Sequence, residues 1–182
     1  MRMSEWAEQI TREQLADVLP RRWAHVQGVA ARARESAHLF SEDGDLLVAA
    51  AMLHDIGYAP DLVDTEFHPL DGAAYLESLG ADSRVCALVA RHSGAIEEAK
   101  LRNLESEIQR FPDERTALRD ALWWADMTTT PHGQHTTVDE RLHEIRQRYG
   151  PGHLVSRSID NSESEIRAAV DRTHKRLTSG RI

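Results

Sequence analysis

Apolar positions recur at three- and four-residue intervals along almost the whole chain, and the strict alternation of a half-buried strand is nowhere sustained. The pattern predicts an all-α fold, a multi-helix bundle of about eight to ten helices with no significant sheet. Thr11 with Gln14 reads as a capping box ahead of Leu15, Val18 and Leu19, and Pro20 as the residue closing that short helix. A longer helix over about 21–40 lines up Trp23, Val26, Ala30, Ala33, Ala37 and Phe40 on one stripe. After the turn "SEDGD", Asp45 reads as the cap of a helix running to about residue 56, where Gly57 suits a left-handed end. "YAPDLVDTEF" reads as an irregular loop, Pro69 then opens a helix carrying Tyr75, Leu76 and Leu79, and Gly80 stops it.

Asp82 suits the cap of "SRVCALVARHS", which ends near Gly94, and "AIEEAKLRNLESEIQRFP" suits one or two short outer helices. Pro112 opens "DERTALRDALWWADMTT". Thr137 with Glu140 makes a second capping box, for a helix ended by Gly150, and a last amphipathic helix over about 163–178 carries Ile166, Ala169, Val170 and Leu177. With no internal repeat and no separating linker, the expectation is one domain over residues 1–182.

Composition narrows the function classes. A length of 182 residues, 41% hydrophobic and 29% charged, suits one well-filled core rather than disorder. A net charge of −8 repels a phosphate backbone, and "RARESAH" and "RQRYG" read as solvated helix faces rather than basic patches, so no extended nucleic acid is expected as a partner. A small anionic substrate held by a metal and one or two arginines stays compatible with that charge. Cys86 has no cysteine partner within the chain and reads as a small buried hydrophobe. Glu5 and Glu8 interrupt any signal peptide, and the longest apolar run, "LLVAAAML", is far shorter than the roughly 20 residues of a membrane span. The expected location is cytoplasmic, without membrane association, as a monomer or homodimer.

The chemistry gathers in "AAAMLHDIGY", where His54 and Asp55 stand side by side at the end of an apolar helix. Neighbours on a helix project about 100° apart and can hold a small ion from two directions. His25 in "RRWAHVQGVA", His68 in "HPLDGAAYL", His92 in "LVARHSG" and Asp126 in "LWWADMT" also lie at helix ends or at the edge of an apolar stripe. Helical bundles build metal sites from such positions. Any one of them alone reads as a hydrogen-bonded core residue; the six together read as a metal centre.

The ordered set resembles the HD-domain metal-dependent phosphohydrolases. The family pattern is a histidine, an adjacent His-Asp pair about 30 residues later and an aspartate at the end of a later helix, matched here by His25, His54, Asp55 and Asp126. Two-metal members add two histidines between them, the first in a His-Pro-x-x-Gly-Ala context matched by "HPLDGA" at His68, the second matched by His92. The likeness spans about 21–128, taken as the HD core, with 129–182 as a C-terminal helical extension. It implies an all-helical fold, one metal held by His25, His54, Asp55 and Asp126, and a second held by His68 and His92 with Asp55 bridging. Imidazoles with carboxylates suit Fe, Mn, Co, Ni or Zn better than Mg, so one or two divalent transition metal ions are the expected cofactor.

The resemblance implies hydrolysis of a phosphomonoester, a nucleotide or a small phosphodiester by a metal-bound hydroxide, with Asp55 and His54 as the central catalytic pair. The alternatives are a mixed-valence di-iron oxygenase acting on a small polyol or phosphonate, which uses the same ligands, and a catalytically silent metal-binding domain. Cyclic-dinucleotide phosphodiesterases of the family carry a lysine and a double histidine where this chain has Tyr58 and Ser93, so that substrate class is not supported. Arg22, Tyr58, Arg91 and Thr128 are the candidate substrate contacts, each with a plainer reading as a packed or surface residue. The loops at 57–67 and 128–137 are expected to shape the pocket. Trp123 and Trp124 read as core, and His38, His143, His153 and His174 as surface.

Overall fold

Ten α-helices joined by short 3₁₀ turns make up residues 1–179, the part of the chain that the computed structural model describes. Among these residues the only extended pairing is an isolated antiparallel bridge between Thr129 and His135, so the all-α expectation holds. None of the described helices is long and apolar enough to cross a membrane.

The centre of the fold is α3 (Gly44–Leu53), whose sequence GDLLVAAAML is apolar on every side and buried from Leu47 to Leu53. Such a helix cannot lie at a surface, and α1 (Met3–Leu15), α2 (Pro20–Ala37), α5 (Ser83–Arg91) and α8 (Ala117–Met127) pack around it. α4 (His68–Ser78) lies against α5, and the short α6 (Ala95–Leu101) and α7 (Glu105–Gln109) follow as the outer helices expected from the charged stretch. α9 (Val138–Tyr149) begins at the Thr137–Glu140 capping box and ends at Gly150, where φ is +81°. α10 (Leu154–Ser179) runs along α6, α8 and α9. Its docking is clamped by Asp120 on α8, which accepts hydrogen bonds from Arg172 and Arg176 at 2.8 and 2.9 Å.

Several boundaries differ from the sequence reading, each for a local reason. Thr11 does not cap a helix: it lies inside α1, fully buried, its hydroxyl directed at the Met52 carbonyl of α3. The first helix instead starts where Glu5 accepts from the Arg2 backbone N–H. Pro20 opens α2 rather than closing α1, since a proline at the first helical position has no lost hydrogen bond. α2 ends at Ala37, and a 3₁₀ turn takes over with Phe40 still buried. Asp45 does not cap α3 but accepts from the backbone and hydroxyl of Ser4, tying α1 to α3. α3 ends at Leu53, and Gly57 in the following 3₁₀ turn is not left-handed. Pro112 lies outside α8, which Thr116 caps. α10 begins well before residue 163, because Ser158 and Ser162 direct their hydroxyls to carbonyls of their own helix, masking a continuous helix behind a polar sequence.

Candidate metal centre

The carboxyl ends of α3, α5 and α8 meet, placing His54, His92 and Asp126 together, while His68 enters from the first turn of α4 and His25 from the middle of α2. Helix carboxyl ends carry partial negative charge, and three of them facing one point favour a cation there. His54 is followed at once by a 3₁₀ turn, so Asp55 leaves the helix axis and points into the same space.

The approach of α4 depends on two glycines. A Cβ on Gly57 would lie 2.1 Å from the His68 carbonyl oxygen and 2.5 Å from the Gly72 nitrogen, and one on Gly72 would lie 3.0 Å from the Gly57 nitrogen. The glycines of "HDIG" and "HPLDGA" therefore let two backbones touch, which sets His68 Nε2 3.2 Å from Asp55 Oδ1.

The Asp55 carboxylate is divided between two sets of imidazoles. Oδ2 faces His54 Nε2 at 3.5 Å and His25 Nε2 at 3.7 Å, and Oδ1 faces His68 Nε2 at 3.2 Å and His92 Nε2 at 3.9 Å. Asp126 Oδ1 closes the first set, 3.2 Å from His25 Nε2 and 3.7 Å from His54 Nε2. His68 and His92 present Nε2 atoms to each other at 3.3 Å. Two overlapping groups, His25 with His54 and Asp126, and His54 with Asp55 and His92, each bring their ligand atoms within 4.8 Å of one another.

The orientation of the rings is fixed from behind. Nδ1 of His54 meets the Ala51 carbonyl at 2.7 Å, Nδ1 of His92 that of Val89 at 2.6 Å, and Nδ1 of His25 that of Thr130 at 2.9 Å. A carbonyl only accepts, so each Nδ1 carries the proton and each Nε2 turns a lone pair inward. His54 Nε2 is buried with no hydrogen-bond partner at all. A buried lone pair left unmatched, flanked by two buried carboxylates, fits a cation and is otherwise costly.

Electrostatics point the same way. Burial raises the Asp55 pKa, but Arg22, then His54 and His68, outweigh it and hold the carboxyl well below its usual range. Asp126 is likewise pushed up by burial and brought well down by its close contact with His25 and by His54. Burial lowers His68 to about 4, against the pull of Asp55, and lowers His92 as well, keeping both imidazoles neutral and available as ligands near pH 7. Ser93, held at φ +45°, donates from its hydroxyl to Asp126 Oδ2 at 2.5 Å.

Beside the cluster lies a cavity of about 100 Å³, walled by Arg22, Tyr58, Arg141, Arg148 and Tyr149. Ile145, Val155 and Ile159 supply its apolar side. Arg22 donates to Asp55 Oδ2 at 2.5 Å and lies over the Tyr58 ring, which itself stacks on His68 at 3.9 Å. Arg91 and Thr128, expected as substrate contacts, are not part of the wall. Arg91 turns away to the Phe111 carbonyl at 2.6 Å, and Thr128 is buried, bonding the Trp124 carbonyl and Arg32. The 128–137 loop does not shape this cavity either: it braces His25 through the Thr130 carbonyl, and Gly133 packs directly on Gly28 of α2.

The mouth comes instead from α9 and α10, including Arg148 and Tyr149 of the "RQRYG" segment that reads as a solvated face. Trp123 and Trp124 are core, covered by Arg119 and Arg32, and His38, His143, His153 and His174 are exposed.

No curated protein and no solved structure matches the chain. The family model described as the HD domain does match, over residues 22–174, a span that runs from Arg22 beside the cluster, past Asp126 and through most of α10. With that span covering most of the chain and the His54–Asp55 pair at the meeting point of its helices, the chain belongs to the HD-domain family.

Proposed function

We propose that the protein is a metal-dependent phosphohydrolase acting on a small phosphorylated substrate: a phosphomonoester, a nucleotide or a small phosphodiester. Membership of the HD-domain family suggests hydrolase-type chemistry with a divalent metal, and the division of Asp55, one oxygen toward His25 and His54, the other toward His68 and His92, supports a two-metal centre. The observation that carries the finer reading is the set of three arginines, Arg22, Arg141 and Arg148, lining the cavity beside that centre, which favours an anionic phosphoryl substrate. On this reading His25, His54, Asp126 and Asp55 hold one ion, His68, His92 and Asp55 a second, and the imidazole-rich set favours Mn, Fe, Co, Ni or Zn over Mg. When bound, such ions lower the pKa of water to yield a nucleophile and offset the charge of the phosphoryl oxygens.

The chain's own residues do the rest. The Ala51, Val89 and Thr130 carbonyls fix the imidazole tautomers, and Ser93 fixes the Asp126 carboxylate. Arg22, paired with Asp55 and laid on Tyr58, keeps positive charge at the rim of the cluster. The small cavity suits one phosphoryl group with a modest leaving group, not a polymer.

Metal analysis of the purified protein, coupled to a phosphate-release screen over nucleotides and sugar phosphates, tests the proposal. Release that depends on Mn or Co and proceeds without O₂, with oxygen from ¹⁸O-labelled water in the first phosphate formed, supports it. Two irons with substrate oxidation that consumes O₂ and no phosphate release would replace it with the oxygenase reading.

A further inference from the structure

Three arginines line the cavity, and two of them are already engaged. Arg22 is bound to Asp55, and Arg148 of α9 places Nε 2.8 Å from Glu144 and donates to it from Nη2 as well. Arg141, seven residues before Arg148 on α9, differs. The residue is only 7% exposed, lines the cavity, and donates to Glu144 from Nη1 at 2.5 Å, yet its Nε is buried with no partner. A guanidinium that deep, with a donor facing nothing, costs stability that an apolar side chain of the same length would not. Glu144 does not need it, because Arg148 holds that carboxylate independently.

An unmatched buried donor beside two carboxylates and four imidazoles is matched by an oxyanion arriving from outside. The Nε edge of a guanidinium is the edge that receives phosphate or carboxylate oxygens with directed hydrogen bonds. The neighbouring wall from the same helix, Ile145, and from α10, Ile159, is apolar, and Arg148 is held by Glu144, so the unpaired donor on that side belongs to Arg141.

We infer that Arg141 is the substrate's anion anchor, a phosphate-binding residue carried by α9 and separate from the metal ligands. This rests on the phosphohydrolase reading above for the identity of the anion as a phosphoryl group. It assigns substrate recognition to the C-terminal part of the chain and leaves the metals to residues 25–126.

The test is binding of inorganic phosphate to the manganese-loaded protein by isothermal titration calorimetry, for wild type, Arg141→Met and Arg141→Lys, with metal content and melting temperature measured in parallel. The expected result is phosphate affinity lowered roughly 10- to 100-fold in Arg141→Met, the loss of a charge-assisted bond to an anion, with partial recovery in Arg141→Lys. Metal content stays at the wild-type level, and the melting temperature is unchanged or higher, since a buried donor without a partner has been removed and Glu144 keeps its bonds from Arg148. Arg141→Met binding phosphate within about 2-fold of wild type overturns the anchor while leaving the hydrolase reading intact. A destabilised or metal-depleted Arg141→Met assigns Arg141 a structural role and overturns it too. Wild-type protein that holds manganese but binds no phosphate removes both readings together.

Discussion

Replacing Gly57 by alanine tests how the fold delivers His68 to Asp55. The added Cβ would sit 2.1 Å from the His68 carbonyl oxygen and 2.5 Å from the Gly72 nitrogen, both backbone atoms that cannot rotate aside. Restoring ordinary contact moves the start of α4 away by about 1 Å or slightly more. Overpacking of that kind costs about 1–3 kcal/mol, which for a chain of this length lowers the melting temperature by roughly 2–12 °C. The displacement falls on His68, whose Nε2 lies 3.2 Å from Asp55 Oδ1 and 3.3 Å from His92 Nε2, and leaves the His25, His54 and Asp126 group alone. Calorimetry with metal analysis should therefore show a destabilised protein that keeps one ion and loses the other. Gly72→Ala, whose nearest contacts are 3.0 and 3.2 Å, should be milder in both respects. A Gly57→Ala protein with wild-type melting temperature and undiminished metal would refute the argument that backbone contact between the two glycines positions His68.

Ser93→Ala removes the hydroxyl that holds Asp126 Oδ2, and metal affinity measured by chelator competition should fall about 10-fold while activity at saturating metal is largely kept. Asp120→Asn should lower the melting temperature by roughly 4–8 °C, about 2 kcal/mol, by weakening the clamp of Arg172 and Arg176 on α8. Burial raises the Asp120 pKa, but its bonds to Arg172 and Arg176 more than offset this and leave it below 3.8, so the clamp is at full strength above that value and is lost as pH falls through the folded-state pKa. Across that acid range the melting temperature of wild type should fall more steeply with falling pH than that of Asp120→Asn. Arg91→Ala, in contrast, should leave phosphate binding unchanged in the same calorimetric titration, because its guanidinium is spent on the Phe111 carbonyl.

Five of the six cluster residues are legible because their chemistry coincides with helix ends: a histidine or aspartate directly after "AAAML" or "LWWA" has no role in an apolar stripe. The His25 position needed more, since it lies mid-helix, and the order of the set supplied it. Arg141, Arg148 and Tyr149 were hidden because α9 has the mixed polar pattern of an exposed helix, and only the docking of α10 lays one of its faces over the metal cluster. The serines that blur the start of α10 concealed that docking. Gly57 was visible as a special residue but for the wrong reason: glycine signals either a left-handed turn or a close backbone approach, and local sequence does not separate the two. Arg91 is a sequence neighbour of His92, but neighbours on a helix point in different directions, and Thr128 opens a hydroxyl-rich stretch whose side chains turn back on the backbone.

The proposed function depends on Asp55 joining two histidine sets into one two-metal centre. Inductively coupled plasma mass spectrometry of folded wild type, Asp55→Ala and His68→Ala, each purified in the presence of manganese, tests it in one series. About two ions per chain are expected in wild type, about one in His68→Ala and essentially none in Asp55→Ala. Equal metal content in His68→Ala and Asp55→Ala, or retention of both ions without the Asp55 carboxylate, would contradict it.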